Sequence, residues 1–188
     1  MPESKNPHLC RLPVGEGVKT EASTVYKLLF LCTGNYYRSR FAELLFNAMA
    51  VTHALPWQTF SRGLAIDKGV NNVGSMSPLA INALQVLGSN LVGAERFPLQ
   101  VEECDFQAAD HIIALQEAEH KPYLQERYPA WVNKVEYWHV RDGAPTPAYN
   151  PLDEVARDVQ RLMAHLCRSG PLGQRCRSAS GQEILVCS

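Results

Sequence analysis

No apolar stretch in this 188-residue chain approaches the roughly 20 residues needed to cross a bilayer, so no membrane is expected as a partner. The first 24 residues, MPESKNPHLCRLPVGEGVKTEAST, have no apolar core of the secretory kind, and a cytoplasmic location is the expectation. No long basic run occurs and the formal net charge is −1, which leaves no evident nucleic-acid partner. The six cysteines, at 10, 32, 104, 167, 176 and 187, form no CxxC pair. The histidine neighbourhoods lack zinc spacing, so no metal and no other cofactor is expected. For a domain of this size reduced thiols are expected rather than a disulfide scaffold. No internal repeat is present.

What is present suits one soluble domain with a real core: 46% of residues are hydrophobic and 20% charged. Residues 1–24 are polar with scattered Pro and Gly, and read as a flexible extension. The Gly/Ser-rich stretch 169–188 reads as a flexible tail, and the domain is expected to span 25–168. Val25 to Leu31, VYKLLFL, is a continuous apolar run of strand formers, as in a strand covered on both faces. Phe41, Leu44, Leu45, Ala48 and Met49 then recur at helical spacing. Further strands are predicted at Trp57 to Phe60, His111 to Leu115 and Val135 to Trp138. A helix with Ser77 as N-cap, Pro78 at its first position and Gly88 beyond its end follows the second strand. EAEHKPYLQERYP is expected to be a helix broken at Pro122, and the last helix to cover about Leu152 to Cys167. Strands alternating with helices imply an α/β fold, a parallel sheet with helices on both faces.

One turn stands apart. In CTGNYYRSR, an apolar strand ends at Cys32, Gly34 and Asn35 fill the turn, and an amphipathic helix starts at once. Ligands of such sheets bind at the carboxyl ends of the strands. Successive backbone N–H groups and a helix N-terminus at that place make an anion cradle. Gly34 is expected to permit unusual dihedrals and close backbone approach, and Asn35 to tolerate the left-handed region. Arg38 can fold its guanidinium fork over the same cavity and pair with two phosphate oxygens. Cations and helix N-termini favour ionisation of a thiol, so Cys32 is expected to be a nucleophile. Ser39 is expected to donate its hydroxyl to the sulfur while capping the helix.

These residues resemble the signature of the low-molecular-weight protein tyrosine phosphatase family, Cys-x-Gly-Asn-x-Cys-Arg-Ser-Pro. The likeness extends over about Tyr26 to Leu166 and takes in FSRGLA, AADHIIAL and EYWHVRD. It implies a single αβα domain with a four-stranded parallel sheet in the order 2-1-3-4. It also implies a phosphoric monoester hydrolase that works through a phosphocysteine intermediate on a phosphorylated protein or small aryl phosphate. In that reading Cys32 is the nucleophile, Arg38 the phosphate ligand and Asp142 the general acid. Thr33, Gly34, Asn35, Tyr36, Tyr37 and Ser39 would line the substrate site. Ser61 would reach the loop from the neighbouring strand.

The chain departs from the family pattern at five places. Tyr37 stands where the family has its second cysteine, and Arg40 stands at the proline after Ser39. Pro78 stands where relatives often carry a histidine that buttresses the loop, and Tyr36 where a small or aliphatic residue is usual. Asp142 is followed by Gly143 rather than proline, and Asp153 is a rival acid whose plainer role is to complement a helix dipole. Glu117-x-x-His120 resembles half a metal motif but has no partners, and is expected on a solvated helix face. Arsenate reduction on the same loop would need a relay of two more thiols, and a non-catalytic phosphate-binding module is a further alternative. Phosphoarginine-directed relatives usually carry threonine at the position of Tyr36.

Overall fold

Strand β1 (Tyr26–Cys32) is the centre around which this computed structural model is organised; residues 24–69 and 71–169 are described. The two extensions expected at 1–24 and 169–188 lie outside those residues, apart from Thr24 and Ser169. Side chains on a strand alternate between faces. Here Leu28, Phe30 and Cys32 enter one apolar cluster, whereas Leu29 and Leu31 enter another. All five are buried, so both faces of β1 are covered, as its unbroken apolar run demands.

Helix α1 (Arg38–Thr52) follows the loop after β1, and β2 (Trp57–Gly63) pairs with β1 in parallel register, Cys32 opposite Gly63. After a short 3-10 turn (Ile66–Gly69) come α2 (Pro78–Val86), α3 (Glu103–Ala108) and β3 (His111–Ala114). Helix α4 (Glu117–Arg127), β4 (Glu136–Tyr137) and α5 (Pro151–Ser169) complete the described chain. The four strands are parallel and lie in the order β2-β1-β3-β4, the order the resemblance implies. The cluster on one face takes residues from α1, α2 and α5, with Val155, Val159 and Met163 of α5 facing inward. The cluster on the other face takes Phe106 of α3 and Leu124 of α4.

Several expectations need correction. Helix α4 is continuous through Pro122, where a break was expected. Proline lacks one backbone donor and crowds the preceding turn, yet Leu124 and His120 of this helix are buried, and packing outweighs that local cost. Helix α3 has no counterpart in the sequence reading. It is only six residues long, too short for a periodic pattern, and is closed by a capping box between Glu102 and Asp105. Ser77 does precede α2 but makes no side-chain cap bond. Cys32 and Cys104 are free thiols, whereas Cys167 is disulfide-bonded, contrary to the expectation of reduced thiols.

Gly63 ends β2 against the loop. A Cβ there would meet Ile66 Cγ2 at 2.5 Å, the Thr33 carbonyl oxygen at 2.9 Å and Asn35 Cβ at 3.2 Å. Two of these neighbours belong to the loop itself, which cannot retreat without losing its own bonds. Gly63→Ala is expected to lower the unfolding free energy by about 1–3 kcal/mol in urea denaturation, the usual cost of overpacking.

Candidate active site

The loop between β1 and α1 runs from Cys32 to Tyr37, and its shape depends on Asn35. That residue is fully buried and takes a left-handed backbone conformation, with φ of 49°. Asparagine tolerates this region because its short amide can bond locally. The amide Nδ2 donates to Ser39 Oγ at 3.1 Å and to Ser61 Oγ at 2.8 Å. Its Oδ1 accepts from the Leu99 backbone N–H at 3.0 Å and from Arg96 Nη1 at 3.2 Å. Two donors given and two accepted use the whole capacity of the amide. Gly34 does not adopt a positive φ, contrary to expectation, and the backbone reversal falls on Asn35 alone.

Cys32 ends β1 with its sulfur 2.9 Å from Ser39 Oγ. Ser39 lies in the first turn of α1 but is not its cap: Tyr37 holds the N-cap position and no side chain bonds the helix start. Because Asn35 already donates to Ser39 Oγ, the serine hydrogen is free to point at the sulfur. A thiolate has no hydrogen to give, so Ser39 is then the only possible donor of that pair.

Arg38 is the first residue of α1 and is only 2% exposed. A buried charge needs compensation, and the guanidinium has five N–H donors with which to find it. Glu119 of α4 takes one hydrogen from each terminal nitrogen, at 2.9 Å on both arms. Nη1 also donates to the Val140 carbonyl at 3.1 Å, and Nε lies 3.1 Å from Asp142 Oδ1. One Nη2 hydrogen is left over. Burial opposes the charge on Arg38, while Glu119, Cys32 and Asp142 outweigh it and hold its pKa above the ordinary value.

Glu119 also accepts from Thr33 Oγ1 at the start of the loop. Burial acts to raise its pKa, but donors from His120, Arg38 and Thr33 together hold this carboxyl well below the usual carboxylate range. His120 behind it is completely buried, and burial pushes its pKa down, so the ring is neutral at pH 7. Its Nδ1 accepts the Gln116 backbone N–H, which leaves the proton on Nε2, 3.5 Å from Glu119 Oε1. The solvated face expected for Glu117-x-x-His120 is therefore half wrong: Glu117 pairs with Lys121 at the surface, but His120 is core. Among the described residues no group of histidine, cysteine or carboxylate side chains could hold a metal ion.

Three predicted site residues are thus brought together, Cys32, Arg38 and Asp142. Asp142 is 60% exposed at the rim, beside Gly143 with φ of 134°. Asp153 sits in the first turn of α5. Tyr36 bonds through its hydroxyl to the Val73 carbonyl at 2.7 Å. The Tyr37 hydroxyl is buried without a partner. Its pKa is pushed up to about 12, first by burial and then by the Asp142 charge. Ser61 reaches the loop as expected. Sequence reasoning missed Glu119, because a glutamate early in a helix looks like any solvated acid until the helix is placed over the loop.

A carboxyl with a lowered folded-state pKa adds stability above its unfolded value, about 4.3, which is lost as pH falls toward the folded value. Glu119→Gln is expected to cost on the order of 2 kcal/mol near neutrality, a charge-assisted bond's worth. Urea denaturation from pH 7 downward should show the gap between variant and parent narrowing below about pH 5.

The profile of the low molecular weight phosphotyrosine protein phosphatase family matches residues 27–170. No curated protein matches the sequence significantly. Among solved structures, the low molecular weight protein tyrosine phosphatase from T. tengcongensis is 25% identical, with a TM-score of 0.63. The match covers 75% of this chain and 99% of that one. The YwlE arginine phosphatase from Geobacillus stearothermophilus is also 25% identical, with a TM-score of 0.59, over 75% of this chain and 92% of that one. The Streptococcus pyogenes enzyme SP-PTP shares the fold at 21% identity and a TM-score of 0.61, over 80% of this chain and 99% of that one. With the family profile spanning the domain and the sheet order in agreement, the chain belongs to the low molecular weight phosphotyrosine protein phosphatase family.

Proposed function

We propose that the chain hydrolyses phosphomonoesters, phosphotyrosine in proteins first among them, through a phosphate ester of Cys32. The observation that carries this reading is the meeting of three groups at one strand end. Cys32 has a hydroxyl donor at its sulfur, Arg38 is buried beside it, and Asp142 rests on the guanidinium.

The bookkeeping on Arg38 suggests how substrate enters. Glu119 grips the end of the fork, through one hydrogen of each terminal nitrogen. The other edge, Nε with the second Nη2 hydrogen, is the pair of donors suited to two phosphoryl oxygens. Asp142 stands on Nε in their place. An arriving phosphoryl group would take that edge and release the exposed Asp142 toward the leaving oxygen. The Cys32 thiolate would then attack phosphorus in line, with loop N–H groups and Arg38 stabilising the equatorial oxygens. Asp142 would protonate the departing phenolate, and later take a proton from the water that hydrolyses the phosphocysteine. No step calls for a metal.

Support for the covalent step also comes from a structural neighbour described as an arginine phosphatase, a cysteine-to-serine mutant with phosphorylated active site serine. Tyrosine is preferred over arginine as the phosphorylated residue because Tyr36 places a phenol ring in the loop, tethered through Val73. An aromatic wall suits a flat aryl ester. No helix among the described residues is long and apolar enough to cross a membrane.

Phosphate release from an aryl phosphate is expected to fall to background in Cys32→Ser. In Asp142→Ala it should drop about 10²–10⁴-fold, the worth of a general acid. Rapid denaturation during turnover should trap phosphate on Cys32, and more of it in Asp142→Ala. Faster release from phosphoarginine than from phosphotyrosine would reassign the substrate. Thiol-dependent arsenite formation, or tight phosphate binding without turnover, would replace the reading altogether.

A further inference from the structure

Two arginines and a glutamate are packed against the loop residue Asn35 and its partner Ser61, Arg40 among them at the position where the family reading expected a proline. Arg40 is completely buried, in the first turn of α1. Its Nη1 pairs with Glu43 Oε2 at 2.8 Å. Its Nη2 donates to the carbonyl oxygens of Gly93, at 2.5 Å, and Arg96, at 3.4 Å. Arg40 thus binds the backbone of the segment that carries Arg96. Arg96 in turn reaches inward with both arms. Nη2 meets Glu43 Oε2 at 2.8 Å, and Nη1 donates to Asn35 Oδ1 at 3.2 Å. Glu43 Oε2 also accepts the Ser61 hydroxyl at 2.5 Å, and Ser61 Oγ receives the Asn35 amide.

We propose that Arg96, delivered by Arg40 and anchored on Glu43, is the positioning residue that holds the phosphate-binding loop from behind. Arg96 acts through Asn35 and through Ser61, to whose Oγ its Nη2 also donates at 3.2 Å. Together with the Leu99 N–H it occupies Oδ1 and fixes which end of the amide is oxygen, and so directs Nδ2 at Ser39 and Ser61. Ser39 is then oriented to Cys32. The loop N–H cradle and the serine hydrogen are held in register by one chain of contacts. The net charge of the three ionised groups is +1, set close behind a loop built to receive an anion. Burial draws the Arg96 pKa below its ordinary value, and the Glu43 carboxylate beside it works against that loss of charge.

This inference rests on the phosphatase reading for its relevance, but its test does not need turnover. The probe is orthovanadate, an oxyanion whose binding to the full-length chain is measured by calorimetry. Arg96 is partly exposed, and Arg96→Met should fold. It is expected to weaken vanadate binding about ten- to a hundredfold, the scale of a loop displaced by a fraction of an ångström to an ångström. If the aryl phosphatase activity is present, kcat should fall by a similar factor with KM changed less. Arg96→Lys restores the charge but cannot reach Glu43 and Asn35 together, and should recover thermal stability more fully than vanadate affinity. Val159→Ala, which opens a cavity under α5, should lower Tm while leaving vanadate affinity within about twofold. Glu43→Gln, which keeps the side chain's shape, should reproduce the affinity loss of Arg96→Met. The proposal is overturned if Arg96→Met binds vanadate within about twofold of the parent, whether or not its Tm falls. It is equally overturned if Val159→Ala weakens vanadate as much as Arg96→Met does. Absence of aryl phosphatase activity in a parent that binds vanadate would sink the proposed function and leave this test intact.

Discussion

A guanidinium that is only 2% exposed must have its charge answered by groups that are themselves fixed, and the active end of this molecule is arranged around that requirement at Arg38. Glu119 answers it with two bonds, the Val140 carbonyl with a third and Asp142 with a fourth. These partners come from α4 and from the segment after β4, so the burial of one charge ties the ends of β1, β3 and β4 into a single rim. In the proposed function, a phosphoryl group offered to this rim would meet a cation already oriented, with one edge held and the other available by exchange. Preorganisation of that kind spares the reacting complex the work of ordering a long flexible side chain.

The second constraint is the buried amide of Asn35. Its left-handed backbone conformation is an uncommon one, and four hydrogen bonds hold it there. Arg38 governs the cavity side of the loop, and Asn35 the rear. Cys32 lies between the two, at the end of a strand covered on both faces, where neither backbone nor side chain has room to drift. Residues that look like defects against the family pattern take part in this support. Arg40 replaces a proline and is fully buried. It would be costly there without Glu43 and the carbonyls of Gly93 and Arg96.

Much of this was legible before folding. The run YKLLFLC could only be a doubly covered strand, and the alternation of apolar strands with amphipathic stretches leaves few topologies. The Cys32-to-Ser39 turn carried enough of its own chemistry to be read as an anion site. Local signals failed where a longer-range contact outweighs them. Pro122 predicts a break in α4 that packing overrides. Ser39 follows the rule for a helix cap yet turns to the sulfur instead. His120 shares its helix with solvated charges, and only the placement of α4 against the loop reveals that it is core.

The sequence by itself determined the parallel sheet, the candidate anion-binding turn and the candidate nucleophile. Those depend on residues close together in the chain, whose periodicity and backbone preferences act over one or two turns. Only tertiary structure decided which carboxylate holds Arg38 and which cation holds Asn35. Glu119 lies 81 residues from Arg38, and Arg96 lies 61 from Asn35. Electrostatic partners are selected by distance in space and by the loss of competing water, and neither quantity is written in the order of residues along the chain.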